Sequence, residues 1–296
     1  MRLSSSSPAR PRGHPAAGTR PKRGGSPQAL LIYLAIGLVL LFFLGPILWF
    51  LALALRPPAT AFVTPPQFFF RPQLDAFVYT LINPGTNARQ LLNSVIVAGG
   101  ATLLNIPFAL PSAYALSRYR LRAKKQIMLW YIGLLMAPPV VFLIPYFIFM
   151  SRLRLNGTYL AMIVMMQTIT IPFSVWLLKG FFDEVPFELE ESAQVDGARW
   201  WQALRSITLP LALPGIIVTS MFAFVFSWNN AIFPLVLSNQ ATATLPIGAM
   251  SYIATAGATW NYIAATAIIA MLPPMVIFLV LGRYIVRGLT FGAVKG

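Results

Sequence analysis

Side chains that commonly perform chemistry are scarce in this chain, and the acidic ones are concentrated in one place. There is no cysteine and only one histidine, His14, which excludes thiol catalysis, disulfides and any site built from several histidines. Six of the seven acidic residues lie in one short segment: Asp183, Glu184, Glu188, Glu190, Glu191 and Asp196. Such a segment is either a solvated amphipathic loop or a docking surface for a basic partner.

The elements that must position this segment are long apolar runs. The chain is 57% hydrophobic and only 10% charged, whereas soluble domains are about a quarter charged. A helix needs about 20 apolar residues to cross the bilayer core. Six runs meet this requirement: 29–55, 91–116, 127–150, 159–178, 211–237 and 262–285. The sequence therefore predicts an all-α membrane protein with six transmembrane helices.

Two segments differ in composition from these runs. Residues 1–28 are rich in Ser, Pro, Gly and Arg, which predicts a disordered basic cytoplasmic tail ahead of a transmembrane domain over 29–296. The run 29–55 is too long for the apolar part of a signal peptide and has no clear cleavage site. Residues 56–90, rich in Pro and aromatics, are expected to form an extracytoplasmic cap containing one short helix.

The basic residues indicate how the helices cross the membrane. Net charge is +15, and most of the 22 Lys and Arg residues lie in the tail, in 118–125, in 179–205 and near the C-terminus. The connection 238–261 carries none. Because Lys and Arg accumulate on the cytoplasmic side, both termini and the acidic segment are predicted to be cytoplasmic. This orientation accounts for the basic charge without nucleic-acid binding.

Missing residue types narrow the possible transport chemistry. No predicted span contains Asp or Glu, which argues against a proton relay and suits a neutral solute. The span interiors also lack Lys and Arg, which argues against an anion path. There is no G-x-x-x-x-G-K-[ST] sequence, so the chain does not bind ATP by a P-loop. If the protein pumps, a partner must supply the energy.

Prolines interrupt several of the predicted spans. Pro107 and Pro111 fall in the second, "APPVVFLIP" at 137–145 in the third, and Pro273 and Pro274 in the sixth. Proline removes an intrahelical hydrogen bond and kinks a helix. These sites are therefore either packing distortions, or hinges and cavity linings.

The acidic segment itself has a two-part pattern. Pro186 suits the start of a helix, and the glutamates that follow are favourable in its early turns. Gly197 then interrupts the pattern, and apolar residues at helical spacing begin at Trp200 and lead into the fifth span. The segment 183–210 is thus predicted to be two short helices joined at a glycine, with a docking surface for a basic soluble partner.

The segment "ESAQVDGARWWQALRSITLPLALPG" resembles the cytoplasmic loop of bacterial ABC importer permeases. That loop follows the pattern E-A-A, three residues, G, nine residues, I-x-L-P. The pattern is matched at Glu191, Ala193, Gly197, Ile207, Leu209 and Pro210, and Ser192 departs from it by one small residue for another. The ending "RYIVRGLTFGAVKG" at 283–296 is similar to that of the carbohydrate-uptake, maltose-type inner-membrane permeases. The resemblance covers the chain from about Ala29 onward.

The resemblance implies a subunit that is not catalytic by itself. Its partners would be a second permease subunit, two ATPase subunits that hold ATP and Mg, and an extracytoplasmic solute-binding protein, all at a bacterial cytoplasmic (inner) membrane. A coupling helix in 183–210 would enter a cleft of an ATPase subunit. The implied coupling residues are Glu191, Ser192, Ala193, Asp196, Gly197, Ala198, Leu209 and Pro210. The C-terminal residues implied to reach the ATPase dimer are Gly292, Lys295 and Gly296.

Candidate residues for a sugar path combine aromatic and amide groups within the spans. They are Asn105, Gln167, Thr170, Trp228, Asn229 and Asn230. Polar residues in helix bundles also often bind only a neighbouring helix. In the maltose-type systems, moreover, much of the sugar site lies on the partner permease.

Three alternatives to a sugar importer stay open from the sequence. The first is an ABC permease for a polyol, a phosphorylated polyol, a peptide or another non-sugar solute. The second is an ion-coupled secondary carrier, which predicts membrane-depth carboxylates and internal repeats that the sequence does not display. The third is a purely structural membrane subunit, which would not need the glycine-interrupted acidic segment.

Overall fold

A computed structural model describes residues 27–61, 63, 69–82, 87–254 and 259–291. Within these residues the chain forms helices, turns and bends, without a strand. Most of the predicted tail, up to residue 26, lies outside the described residues, as do Gly292, Lys295 and Gly296. The helices are α1 (Pro27–Ala54), α2 (Asp75–Ile82), α3 (Asn87–Arg118), α4 (Lys124–Met136), α5 (Leu143–Arg152), α6 (Tyr159–Glu184), α7 (Phe187–Val195), α8 (Trp200–Asn229), α9 (Ile232–Leu237), α10 (Leu245–Ala254) and α11 (Trp260–Phe291).

The chain divides into two compact units within α1. The first unit ends at Pro46 and the second begins at Ile47. The described part of the first unit is a single helical segment without a charged residue. The second unit holds the end of α1 and all later helices.

Among the described residues, five helices are long and apolar enough to cross a membrane: α1, α3, α6, α8 and α11. The predicted third span, 127–150, is not one straight helix. It is the pair α4 and α5, bent by 95°, which supplies a sixth span only if the pair is counted as one. The cause is local: Pro138 and Pro139 cannot donate backbone hydrogen bonds, and Ala137 before them is extended, at φ −71° and ψ 128°.

Two further boundaries differ from the sequence prediction. The fifth predicted span, 211–237, ends as a helix at Asn229, because Asn230 is extended and its Oδ1 accepts a hydrogen bond from Phe233 N at the start of α9. The second helix of the acidic segment is not a separate short helix, since α8 runs from Trp200 to Asn229. The short helix expected between residues 56 and 90 is α2.

The core of the second unit forms where α3 packs along α6 and α8 meets them both. Four alanines on one face of α3 are fully buried: Ala98, Ala101, Ala109 and Ala113. They let the helix backbones approach closely. A Cβ added at Gly100 would lie 2.6 Å from Ile163 Cδ1 of α6, so a larger residue here would have to displace the end of that side chain. Because α3 and α6 pack closely along their length, they connect the two ends of the bundle.

One end of this core is held by a neutral polar group, which we call the Asn93 cluster (Asn93, Ser94, Tyr159 and the backbone of 241–245). Asn93 Nδ2 donates to Ala241 O at 3.1 Å and to Ala243 O at 2.8 Å. Asn93 Oδ1 accepts from Tyr159 Oη at 2.7 Å, and Ser94 Oγ accepts from Leu245 N at 2.8 Å. The start of α3 is thereby attached to α6 and to the loop before α10.

Candidate functional site

Helix α7 carries the centre of the acidic segment and is sharply bounded at both ends. It follows Pro186, whose extended conformation, with ψ 128°, ends the preceding turn. Glu188 and Glu190 lie in its first turn, where negative charge is favoured by the helix dipole. After the helix, Gly197 adopts φ +92°. The helix therefore ends in a conformation that favours glycine.

The end of α7 has the hydrogen bonds of a Schellman motif. Ala198 N donates to Ala193 O at 2.9 Å, and Gly197 N donates to Gln194 O at 3.0 Å. A Cβ at Gly197 would meet no atom of the described residues within 4 Å, so the backbone angle, not close packing among those residues, favours glycine. Gly197 thus ends α7 at the position where the sequence predicts an interruption.

Glu190 lies at the centre of a buried polar group that we call the Glu190 cluster (Tyr114, Arg118, Glu190 and Thr208). The side chain of Glu190 is only 1% exposed. Its Oε1 accepts from Arg118 Nε and from Thr208 Oγ1, both at 2.7 Å, and its Oε2 accepts from Tyr114 Oη at 2.8 Å. One carboxylate therefore joins α7 to the end of α3 and to α8.

Arg118 strengthens this attachment through two further contacts. Its Nη2 donates to Val185 O at 2.9 Å, and its guanidinium carbon lies 5.7 Å from the centre of the Phe187 ring. The last residue of α3 thus contacts the chain before α7, the first residue of α7 and the glutamate within it. A movement of α7 must be passed to α3 unless these contacts break.

The attachment to α8 is made at an irregular turn. Residues Leu204–Thr208 form a π-helical segment inside α8. Pro210 cannot donate the hydrogen bond that would complete a regular α-helical turn, and its ring crowds the carbonyl four residues earlier. The wider turn accommodates this proline, and Thr208 at its end reaches Glu190.

The opposite face of α7 is exposed and mixes acidic with apolar side chains. Glu188 and Glu191 are exposed there, and Val195 is 87% exposed. Trp200 and Trp201, at the start of α8, are 56% and 45% exposed. Large apolar side chains exposed beside charged ones are typical of a surface that binds another protein. This face is free of contacts that would explain its composition within the described chain.

The sequence-predicted coupling residues divide into three groups. Glu191, Ser192, Asp196 and Gly197 are exposed on α7 or its C-terminal cap, and Ala193 and Ala198 are half-buried. Leu209 and Pro210 lie within α8, beyond the π-helical turn. Gly292, Lys295 and Gly296 cannot be placed, because they lie outside the described residues.

Sequence reasoning missed the buried role of Glu190 and selected its neighbour Glu191 instead. A weak signal was present in the helical spacing. Glu190 shares a face with Phe187 and Ala193, which are less polar, whereas Glu191 shares a face with Glu188 and Val195. The binding partners Tyr114 and Arg118 are more than 70 residues away in the chain, and no local pattern identifies them.

Several of the candidate residues for a solute path are engaged by contacts within the bundle. Gln167 Nε2 donates to Ala101 O of α3 at 3.0 Å. Thr170 Oγ1 lies within reach of two acceptors on its own helix, Met166 O at 3.1 Å and Gln167 Oε1 at 3.2 Å. Trp228 is 3% exposed and its Nε1 donates to Ala270 O at 3.1 Å. Asn229 is exposed, and Asn230 accepts from the backbone of α9. The structure does not gather these side chains into one group.

Within the predicted spans, four buried polar atoms have no hydrogen-bond partner among the described residues. They are Asn105 Nδ2, Ser174 Oγ, Thr219 Oγ1 and Ser227 Oγ, on α3, α6 and α8. Of these residues only Asn105 was selected from the sequence. Neutral donors and acceptors of this kind can bind water or a hydroxyl-rich solute, and a buried polar group without a partner is costly.

Solved structures support the fold. The chain is similar to a chain from the crystal structure of a bacterial ABC transporter involved in the import of the acidic polysaccharide alginate. The TM-score is 0.69 at 18% sequence identity, covering 90% of this chain and 99% of that one. At this identity the likeness concerns the fold alone.

Relatives identified by sequence support the family. The family described as "Binding-protein-dependent transport system inner membrane component" matches residues 105–291. A trehalose/maltose transport system permease protein from Thermococcus litoralis is 30% identical over 90% of this chain and 97% of its own length. A diacetylchitobiose uptake system permease protein from Streptomyces coelicolor is 31% identical over 91% of this chain and 96% of its own length. This chain therefore belongs to the inner-membrane permease components of binding-protein-dependent transport systems, the ABC importer permeases.

Proposed function

We propose that this chain is one of two permease subunits of an ATP-driven importer for a sugar or oligosaccharide. A second permease, two ATPase subunits and an extracytoplasmic solute-binding protein complete the complex. ATP and Mg bind to the ATPase subunits, and this chain performs no catalysis of its own. Both termini and α7 lie on the cytoplasmic side, consistent with the distribution of Lys and Arg.

The observation that carries the proposal is the two-sided character of α7. Its exposed face, with Glu188, Glu191 and Val195, is available to a basic cleft on the ATPase. Its other face is attached through Glu190 to α3 and α8. A helix that is exposed on one side and attached to two membrane helices on the other can transmit movement of a partner to the bundle. Alternating access of the solute path follows from that transmission.

The sugar assignment rests on two supports. The relatives named above have printed functions in trehalose, maltose and diacetylchitobiose transport. The bundle of this chain also contains neutral polar groups and no acidic residue within its apolar spans. A neutral, hydroxyl-rich solute matches such groups, whereas ion coupling needs charged ones.

Reconstitution of the complete complex tests the proposal. The chain would be purified with the second permease, the ATPase and the binding protein encoded beside it, and placed in proteoliposomes. We expect ATP hydrolysis to be stimulated by the loaded binding protein and to accompany uptake of a labelled disaccharide. Trehalose, maltose, diacetylchitobiose and glycerol would be compared, and uptake of glycerol alone would favour a polyol importer. Solute movement by the isolated chain down an ion gradient would contradict the proposal.

A further inference from the structure

A basic cavity lies where α3 ends and α4 begins. It has a volume of about 410 Å³ and is lined by Ser117, Arg118, Tyr119, Arg120, Lys124 and Phe187. Three of these residues are basic and none is acidic. The cavity is within the size range of small-molecule sites.

The positive charge of the cavity is only partly neutralised within the chain. Arg118 is paired with Glu190. Of the nearby acids, Asp183 is engaged by Ser117 and Lys179. Arg120 and Lys124 form no ion pair with any described residue. The cavity therefore presents two cations without an ion-pair partner among the described residues, a combination that suits a phosphate group.

The position of the cavity indicates which phosphate compound it receives. α3 ends at Arg118 and α4 begins at Lys124, so the cavity lies at one end of two membrane-associated helices. α4 has no buried residue, and within two turns of Lys124 it exposes Leu129 and Trp130, at 56% and 72%. A phospholipid can place its headgroup in the cavity and its acyl chains along this apolar surface, whereas a free phosphate gains nothing from it.

We propose that this cavity binds the headgroup of an anionic phospholipid, with Arg120 and Lys124 as its phosphate-binding residues. The inference rests on the proposed function for its orientation, which puts these residues at the cytoplasmic leaflet, where anionic lipids bind basic pockets between helices. Phe187, the first residue of α7, forms one wall. A bound headgroup therefore also supports the position of α7 against α3.

The test compares two charge-neutralising double variants in the purified transporter complex. Arg120→Gln with Lys124→Gln alters the cavity. Arg122→Gln with Lys125→Gln removes the same charge from exposed residues of the same segment that do not line it. Binding of phosphatidylglycerol and of zwitterionic phosphatidylcholine would be measured by native mass spectrometry of the detergent-purified complex.

We expect the wild-type complex to prefer phosphatidylglycerol and the cavity variant to lose this preference by about tenfold or more. The exposed-charge variant should stay within about threefold of the wild type. Equal losses in the two variants would mean diffuse attraction and would overturn the site. Displacement of the lipid by millimolar inorganic phosphate would identify free phosphate as the ligand and overturn the lipid assignment.

A second measurement separates this inference from the proposed function. ATPase retention on the complex is measured for both variants. Weaker retention in the cavity variant with unchanged lipid binding would assign the cavity to an acidic surface of the ATPase and contradict the proposal. Loss of lipid preference with normal retention supports it, whatever solute the complex carries.

Discussion

The two ends of the α3–α6–α8 core are closed by polar clusters of opposite character. The Asn93 cluster uses neutral amide and hydroxyl groups, and its partners are mainly backbone atoms of a loop. The Glu190 cluster buries a charged pair, and its partners are side chains on α3 and α8. Asn93 and Glu190 are equally buried, since each is only 1% exposed.

The Asn93 cluster is suited to holding a loop in place, whereas the Glu190 cluster is suited to transmitting a movement of α7. Neutral hydrogen bonds to backbone atoms are individually modest, and one can be lost while the others remain. A buried charge pair resists partial breakage, because the remaining charge would be left without compensation. Side-chain partners on two membrane helices also make α3 and α8 follow α7. The charged cluster therefore occupies the end at which a moving partner is proposed to dock.

The largest effect is expected from a substitution that breaks the Glu190 cluster. Glu190→Gln retains the shape of the side chain but leaves Arg118 buried without a counter-charge, which costs about 3–5 kcal/mol. We expect amide exchange in α7 to accelerate by about a hundredfold or more, together with loss of ATP hydrolysis stimulated by the loaded binding protein. Hydrogen-exchange mass spectrometry of the two permease subunits, purified without the ATPase, measures the first effect.

Glu191→Gln is the matched control, since it makes the same chemical change at the next, exposed residue. Its effect on exchange in α7 should be less than about fivefold, because an exposed charge contributes at most about 1 kcal/mol. The double variant Arg118→Gln with Glu190→Gln removes both charges and should recover much of the loss. Equal exchange in the Glu190 and Glu191 variants would refute the structural role of the buried pair.

The second-largest effect is expected from a substitution that breaks the Asn93 cluster. Asn93→Ala removes three hydrogen bonds, at about 1 kcal/mol for each. We expect lower thermal stability and faster exchange in the loop 238–245, with α7 unaffected. Asn229→Ala, at an exposed asparagine of α8, should change neither. If Asn93→Ala accelerates exchange in α7 as much as Glu190→Gln does, the two ends are not distinct.

The sequence predicts the features of the fold and of the site that neighbouring residues determine. It does not predict the features that depend on contacts between residues far apart in the chain. Apolar runs and local chemistry predicted most of the spans and the interruptions at Gly197 and near Pro138. The two prolines predict where the helix breaks but not the 95° angle between α4 and α5, because proline fixes its own φ and leaves ψ free. The choice of Glu190 over Glu191 needs Arg118, 72 residues earlier, to be placed beside α7. Two neighbouring glutamates such as these can be distinguished only when it is known which face of the helix packs against the rest of the protein.

A smaller effect is expected from a substitution at Gly197, which ends α7, and it tests whether this residue contributes to coupling. Gly197→Val forces a β-branched residue into the left-handed region, which costs about 1–2 kcal/mol, although no atom would block the side chain. We expect a correctly inserted chain with reduced binding-protein-stimulated ATP hydrolysis. Gly197→Asn should retain most of it, because asparagine tolerates this conformation. Wild-type stimulation and uptake by the valine variant would contradict a coupling role for the cap.

The smallest effect concerns Trp228, which packs with Leu245 at the same end of the bundle as the Asn93 cluster. Trp228 donates one hydrogen bond to Ala270 O and stacks on Phe224, with ring centres 5.6 Å apart. Trp228→Phe retains an aromatic ring and removes the donor, so the loss should be about 1 kcal/mol of stability. If Trp228 packs helices and does not contact solute, the ratio of kcat/KM values for two competing disaccharides should not change. The variant and the wild type would be compared in the same proteoliposome uptake assay, with thermal unfolding measured in parallel. A changed ratio without a change in stability would instead assign Trp228 to the solute path.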